Sequence, residues 1–320
     1  MDFWNAFWFP TTGTLNLAGA RIFVVAVEML WFFPSLAFQI NLATRNAGFQ
    51  LPQPLIRLIT AVVPRDVLFT PTGLTAVYWV TMAAGVLAIV GLFTRSALFV
   101  YAFGYAFFVS HAYSYADVHH REALYLFFVL ALAFAPSGDR LSIDAWLRRR
   151  RARRSGAPAV SDGQSDLAMW PFRLLHVLLA WTYFSTGITK LLIGGLQWMN
   201  GYTLQFAIFK NAISRAAWAP LGLWMAHNHT LCVVVSVATI LFETFFFVSL
   251  FLPRLAPLFF AGGVVFHLML YLTSGHPFFE HMILNTTMLV FYNPVWFPSV
   301  WDRVTAALKL RPADTPVGAR

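Results

Sequence analysis

One lysine, Lys190, lies near the end of an apolar stretch that is long enough to enter a lipid bilayer, residues 176–202. An amine inside a membrane is costly and is usually retained for a function. In a dry cavity a lysine can be neutral and can accept a proton as a general base. The alternative is that Lys190 extends from the helix end to the lipid headgroups. Its small and polar neighbours favour a cavity: Ser185, Thr186, Gly187 and Thr189.

Further side chains near Lys190 could contact a bound ligand. Thr186 and Tyr183 precede the lysine by four and seven residues, so they share its face of a helix. A Gly–Gly turn follows the lysine and leads to a segment that begins at Trp198. We predict that Tyr183, Thr186 and Trp198 help to bind the ligand on which Lys190 acts.

Other apolar stretches carry titratable residues of the same kind. His119 and His120 begin a predicted span, where they either cap the helix at the interface or face a pocket. His267 lies within GGVVFHLMLY and Glu243 within ILFETFFF. His267 could be a hydrogen-bonded structural residue, but titratable residues inside spans are candidates for function. We therefore predict catalytic roles for the histidines and a ligand-binding role for Glu243.

The histidines could instead bind a metal ion. His276, Glu280 and His281 occur in SGHPFFEH, and with His119 and His120 they loosely resemble the ligands of membrane di-iron proteins. Such sites use many histidines at repeated close spacings, and this chain has only fragments of that pattern. The sequence therefore predicts no metal site, and His276 and His281 become candidates for ligand binding.

The composition indicates a helical membrane protein. Hydrophobic residues make up 59% and charged residues 11%, with a mean hydropathy of +0.65, which excludes an ordinary soluble domain. The apolar runs are long, whereas a β-barrel has short alternating strands. The single cysteine, Cys232, cannot form an intramolecular disulfide. We attribute the net charge of +9 to topology and predict no binding of nucleic acid.

The apolar runs predict an all-α bundle of about eight transmembrane helices. We expect one domain over residues 1–310, an interfacial helix in 1–12, an irregular or re-entrant segment in 194–228 and a disordered tail over 311–320. The predicted spans are about 17–38, 72–93, 96–114, 121–136, 170–192, 230–252, 255–273 and 281–297.

The basic residues predict the orientation. The hydrophilic segment 138–168 contains LRRRRARR, and such an arginine block beside a span marks the cytoplasmic side. We therefore predict a basic cytoplasmic loop over 138–168. With eight spans, both termini then lie in the cytoplasm. We expect the membrane to be a bacterial inner membrane. Lys190, the His119–His120 pair and the segment around His276 and His281 all fall at the outer face.

Several segments resemble the vitamin K-dependent γ-carboxylase family, whose membrane part is called the HTTM (horizontally transferred transmembrane) domain. YFSTGITKLLIGGLQWMNGY is similar to a family segment with an aromatic residue, small residues, Gly-x-x-Lys-Leu, Trp and Gly-Tyr. HHREALYL with PSGDRLSIDAW, then FETFFF, then VVFHLMLYLTSGHPFF resemble further family segments in the same order. The resemblance covers about residues 17–300 and identifies the chain as a stand-alone bacterial member of the family.

The resemblance implies chemistry on a reduced quinone. In the carboxylases a membrane lysine deprotonates vitamin K hydroquinone, which reacts with oxygen to give an epoxide. The strong base formed on the way abstracts a proton from a glutamate, to which carbon dioxide adds. By position, Lys190 matches the lysine, His267 matches a Phe-His histidine, and His119 or His120 matches a pocket histidine. The implied cofactor is vitamin K hydroquinone or menaquinol, with O₂ and CO₂ as co-substrates.

Other functions stay open at this point. The carboxylases carry a large domain after the membrane part that engages the peptide substrate, whereas this chain ends about twenty residues after its last predicted span. A separate peptide substrate or partner chain is one way to supply that part. The chain could also be a non-catalytic maturation protein that binds a peptide or lipid, or a DoxX-like protein linked to quinones. A transporter is less favoured, because the sequence shows no internal repeat.

Overall fold

The structure is a computed structural model that describes residues 2–45, 48, 50–115, 121–155, 163–215, 219–292 and 300–307. Within these ranges the regular elements are helices, apart from one antiparallel pair of two-residue strands. The prediction of an all-α membrane fold is confirmed. His119 and His120, the end of the eighth predicted span and the tail at 311–320 lie outside the described residues.

The chain divides into two compact units, Met1–Arg173 and Leu174–Arg320. The single domain expected over residues 1–310 stays a prediction. The elements of the first unit are α1 (Asp2–Trp8), β1 (Thr12–Gly13), α2 (Leu15–Val27), a π-helix (Glu28–Phe32), α3 (Leu36–Ala43), α4 (Pro54–Thr60), α5 (Arg65–Leu68), α6 (Pro71–Val90), α7 (Thr94–Tyr113), α8 (Arg121–Phe134), α9 (Ile143–Ser155) and β2 (Gln164–Ser165).

The second unit contains most of the long helix α10, which begins just before the boundary. Its elements are α10 (Trp170–Gly194), a 3₁₀-helix (Gly195–Asn200), α11 (Tyr202–Arg215), α12 (Ala219–Ala226), α13 (His229–Phe245), α14 (Val248–Phe251), α15 (Ala256–Ser274), α16 (Phe279–Phe291) and α17 (Val300–Ala307).

Four helical segments of the described chain are long and apolar enough to cross a membrane. They are Leu15–Phe32, Pro71–Val90, Trp170–Asn200 and Ala256–Ser274, and a bent pair, Pro220–Ala226 with His229–Phe245, could be a fifth. The two helices of that pair meet at 95°. The chain is thus a membrane protein, and the number of eight spans stays a prediction.

Two segments differ in detail from the sequence prediction. The first span was expected to reach residue 38, but its helical part ends at Phe32, because Pro34 forces Phe33 into an extended backbone with ψ of 138°. The segment 194–228 was expected to be irregular or re-entrant. Its described part is mostly helical and not irregular, with a 3₁₀ turn followed by α11 and α12, and its re-entrant path stays a prediction.

Helix α9 lies within the hydrophilic segment that was predicted as a loop. Its Asp144 carboxylate accepts hydrogen bonds from the backbone N–H groups of Phe93 (3.0 Å) and Thr94 (2.8 Å) and from the Thr94 hydroxyl (2.7 Å). The Asp144 N–H donates in turn to the carbonyl of Gly91 at 2.9 Å. Asp144 therefore caps the start of α7 from a distant part of the sequence. Partial burial raises the pKa of Asp144, but the hydrogen bonds from Thr94 and Phe93 outweigh it and hold that pKa below its usual 3.8.

The variant Asp144→Asn is expected to lose about 1 kcal/mol of stability, because the amide NH₂ cannot accept the hydrogen bonds that one carboxylate oxygen accepts in the wild type. Since the folded state lowers the pKa of Asp144, its stabilising effect is full well above pH 3.8 and is lost as the pH falls below that value. Thermal unfolding in detergent between about pH 3 and 6 checks this. The wild type should lose more stability towards low pH than the variant.

The matched control is Asp139→Asn, which removes an acid that forms an exposed ion pair with Arg148 at 2.8 Å. An exposed pair contributes little, so this variant should unfold like the wild type at every pH. If both variants shift by the same amount, Asp144 has no special role as a cap.

Candidate functional site

Helix α10 carries three polar side chains on one face at intervals of seven residues: His176, Tyr183 and Lys190. Seven residues are about two helical turns, so the three side chains lie roughly 10 Å apart along the same side. Pro171 lies in the first turn, where its missing N–H costs nothing, and an apolar run continues the helix. Each of the three side chains meets a different partner within the second unit.

Lys190 forms an ion pair with Glu243 of α13. The distance from Lys190 Nζ to Glu243 Oε2 is 2.5 Å. The Glu243 side chain is only 4% exposed and that of Lys190 is 21% exposed, so the pair is largely shielded from its surroundings. The Lys190 ammonium also lies 5.4 Å from the centre of the Trp198 ring, a cation–π contact. The structure thus brings together three residues that the sequence analysis singled out separately.

A close helix contact sets the geometry of this pair. Gly187, one turn before Lys190, packs directly against α13. A Cβ at position 187 would lie 2.7 Å from the Thr244 backbone nitrogen and 3.0 Å from Glu243 Cβ. Only a glycine permits α10 and α13 to approach this closely. The glycine therefore allows the amine of one helix to reach the carboxylate of the other.

Tyr183 is the centre of a second hydrogen-bonded group. Its hydroxyl lies 2.9 Å from His267 Nε2 of α15 and accepts a hydrogen bond of 2.9 Å from Asn285 Nδ2 of α16. The same amide nitrogen donates to the His281 carbonyl at 2.8 Å, which fixes the orientation of the Asn285 amide. Because the tyrosine oxygen accepts from Asn285, its own proton is available to His267 Nε2.

Aromatic rings enclose the Tyr183 group. The tyrosine ring stacks on Phe246 with centroids 4.3 Å apart, and Phe242 meets it edge-on at 5.2 Å. The rings of His267 and His281 lie 5.0 Å apart, and both side chains are almost completely buried. The polar groups of Tyr183, His267 and Asn285 therefore lie in an apolar surrounding, where their mutual hydrogen bonds are worth most.

His176, at the first of the three positions on α10, was not singled out in the sequence. It is 2% exposed, and its Nε2 lies 2.8 Å from the Ser249 hydroxyl. Its ring meets that of Tyr292 edge-on, with centroids 5.4 Å apart. Asn285 was also missed, although an asparagine inside an apolar helix is itself a signal. The seven-residue spacing from Tyr183 was the signal that could have identified His176.

An apolar cavity of about 270 Å³ lies between α11, α12, α13 and α15. Its lining is apolar except for five side chains: Asn211, Thr239, Thr273, Ser274 and His276. Thr239 precedes Glu243 by one helical turn. Phe266 lines the cavity and also contacts the ring of His267 at 5.1 Å and that of Tyr183 at 6.3 Å. One aromatic side chain therefore links the cavity to the Tyr183 group.

The remaining predicted site residues occupy different places. Thr186 donates to the carbonyl of Thr182 in its own helix at 2.6 Å. His276 lies at the cavity, where its Nδ1 is 3.1 Å from the Ser274 hydroxyl. Within the described part of the chain, no group of three or more His, Cys, Asp or Glu residues could hold a metal ion.

The helices define the class of protein: an all-α integral membrane protein with titratable side chains paired inside one helical unit. The chain belongs to the HTTM domain family, whose family model matches residues 66–296, more than two thirds of its length. The HTTM domain is a membrane domain of the vitamin K-dependent carboxylase family. The match includes Lys190, Glu243 and His267. No curated protein and no solved structure matches the chain.

Proposed function

We propose that the protein is a membrane enzyme that binds a quinol and removes a proton from it with Lys190 as the general base. The observation that carries the proposal is the shielded pair of Lys190 and Glu243, with 2.5 Å between nitrogen and oxygen. A partly buried amine whose partner is a buried carboxylate is expensive to maintain, and titratable residues of this kind inside membrane spans are candidates for function. The family of the chain adds the quinol as the expected substrate.

The pair supplies the base without releasing a proton to water. An ammonium beside a carboxylate and an amine beside a carboxylic acid differ only in the position of one proton, and neither pair has a net charge. Transfer of that proton within the pair separates no charge, so it needs no water to stabilise the product. Movement of the proton from Lys190 Nζ to Glu243 would leave a neutral amine. The quinol O–H bond then breaks as a new N–H bond forms, and the ammonium balances the charge of the quinol anion.

The cavity supports a lipophilic substrate. Its volume and its apolar lining suit the ring or chain of a quinone-like molecule. Ligand contacts are proposed for Thr186, Trp198, His276 and His281. His267 would orient the ligand or relay protons through Tyr183. By resemblance to the family, His119 or His120 would be the histidine that lines the ligand pocket.

The net reaction proposed is oxidation of the quinol by O₂. One oxygen atom of O₂ enters the epoxide, and the other leaves as water with the two hydroxyl hydrogens of the quinol. The quinol is oxidised by four electrons in all, two on conversion to the quinone and two on epoxidation of its ring double bond. CO₂ as a co-substrate, with a peptide on a separate chain, is the further step that the family suggests. The arginine-rich helix α9 supports a cytoplasmic position for that segment and, with eight spans, for both termini in a bacterial inner membrane.

The test is the formation of epoxide by purified protein in nanodiscs with menaquinol and oxygen, measured by mass spectrometry. The variant Lys190→Ala is expected to lose at least about 100-fold in rate, because it removes the proton acceptor. The control is Lys210→Ala, which removes an exposed lysine on α11 and should leave the rate unchanged. Equal rates for Lys190→Ala and the wild type, or a rate for the wild type no higher than for empty nanodiscs, would refute the proposal.

A second candidate is a non-catalytic protein that holds a lipid or an apolar peptide. The specific observation for it is the cavity, whose apolar lining needs no chemistry to bind a chain. Binding of menaquinone without any epoxide, and with equal affinity in the wild type and Lys190→Ala, would favour this candidate.

A further inference from the structure

Helix α9 carries an unusual concentration of positive charge. Six of its thirteen residues are arginines, Arg148–Arg151, Arg153 and Arg154, and all six are exposed. Successive residues of an α-helix are rotated by about 100°, so these arginines cover every side of the helix. Among the described residues, Arg148 is the only one of the six with an ion pair, to Asp139. The other five are exposed and have no ion pair to a carboxylate in the part of the chain that the structure describes.

The structure holds this charge at the end of a candidate membrane span. Asp144, in the first turn of α9, is bonded to Gly91, Phe93 and Thr94, which directly follow the span Pro71–Val90. Ser142 caps the helix by accepting from the Ala145 N–H at 3.0 Å. Gly91 has a φ of +71°, and a Cβ there would lie 2.2 Å from Ser142 Cβ. The basic helix is therefore fixed at the place where the span leaves the bilayer.

Apolar side chains around the start of α9 are exposed. Phe93 is 70% exposed, Trp146 is 56% exposed and Leu141 is 47% exposed. Tryptophan and other aromatic residues are typical of the level of the lipid headgroups. Arg150 lies over the Trp146 ring at 5.3 Å, so one guanidinium is already held beside that aromatic side chain. Exposed apolar side chains next to a row of arginines are the arrangement expected of a helix at a lipid surface.

We propose that α9 is a binding surface for the phosphate groups of anionic phospholipids in the bilayer that the protein spans. Guanidinium groups bind phosphate oxygens with two parallel hydrogen bonds, and their long side chains can reach the headgroup layer from any side of the helix. A cluster of four to eight basic residues next to a span attracts anionic lipid. The charges of the helix and of the headgroups are complementary. The exposed Trp146 would hold α9 at the depth of the lipid headgroups.

The experiment uses the full-length protein in neutral detergent, titrated with dioctanoyl phosphatidylglycerol and followed by native mass spectrometry. Dioctanoyl phosphatidylcholine is the neutral comparison. The triple variant Arg149→Gln, Arg151→Gln and Arg153→Gln should bind the anionic lipid roughly 100-fold more weakly than the wild type. These arginines are exposed, so the variant should fold normally, and Arg148 with its ion pair is left intact.

The control variant removes the same charge elsewhere, with Arg45→Gln, Arg57→Gln and Lys210→Gln, all of them exposed positions. It should bind the anionic lipid like the wild type, and affinity for that lipid should fall as salt is added. Equal binding of the anionic and neutral lipids, or equal losses in the two triple variants, would overturn the proposal. So would tight binding of a short single-stranded oligonucleotide by α9 without preference for the anionic lipid.

Discussion

Replacement of Glu243 by leucine should destabilise the protein by about 3–5 kcal/mol, because it leaves the Lys190 ammonium shielded and without its carboxylate. Lys190→Met should cost a similar amount, because it leaves the carboxylate alone. The double variant Lys190→Met with Glu243→Leu should recover most of the loss, since two apolar side chains can pack where the ion pair was. Unfolding in mixed detergent micelles, analysed as a double-mutant cycle, measures the coupling.

The double variant also separates the two roles of the pair. If the pair only stabilised the fold, the recovered protein would regain activity in the epoxide assay. The proposed role of Lys190 as base predicts a stable protein without activity. Additive losses in the two single variants would mean that Lys190 and Glu243 do not form the pair described here, and the proposed base would lose its support.

The variant Gly187→Ala is expected to lose about 1–3 kcal/mol of stability and roughly 100-fold in activity. The added methyl group would lie 2.7 Å from the Thr244 nitrogen, so α10 and α13 must separate. Separation by even 1 Å or so would lengthen the contact between Lys190 and Glu243, and misplacement of that size is costly for a catalytic group. Both the unfolding free energy and the rate of epoxide formation should fall.

Two further variants serve as controls for Gly187→Ala. Gly13→Ala adds a methyl group that meets nothing within 4 Å, so it should behave like the wild type. Adding Thr244→Ala to Gly187→Ala removes the threonine hydroxyl but keeps the backbone nitrogen at 2.7 Å, so it should not rescue the protein. A rescue would show that the added methyl group clashes with the Thr244 side chain and not with the backbone of α13. A glycine at position 187 would then not be essential to the approach of α10 and α13.

The class of the protein could be predicted from the sequence, whereas the partners within the site could not. Long apolar runs and a single lysine inside one of them are visible without a structure. Lys190 and Glu243, however, are 53 positions apart, and several acidic residues could have met the lysine equally well. Pairing depends on the approach of two helices at Gly187, which only the folded chain reveals. Glu243 was expected to be a ligand-binding residue, protonated or paired with a basic residue. The structure shows it paired with Lys190, and its role in ligand binding stays a prediction.

Other differences have local causes. Arginine is a good helix former, so the arginine block of α9 could have been predicted as a helix instead of a loop. PSGDRLSIDAW, which resembles a family segment, includes Asp144, but the resemblance did not indicate what Asp144 does. In the structure Asp144 caps α7, because its carboxylate meets free N–H groups at the start of that helix.

The seven-residue interval along α10 restricts how this family member can change in length. His176, Tyr183 and Lys190 have partners on several other helices, so all three must keep their common face. Gain or loss of a single residue between Tyr183 and Lys190 would turn the lysine by about 100° and point it away from Glu243. Insertions and deletions can therefore accumulate in the connecting segments, while α10 can vary over evolutionary time by substitution alone.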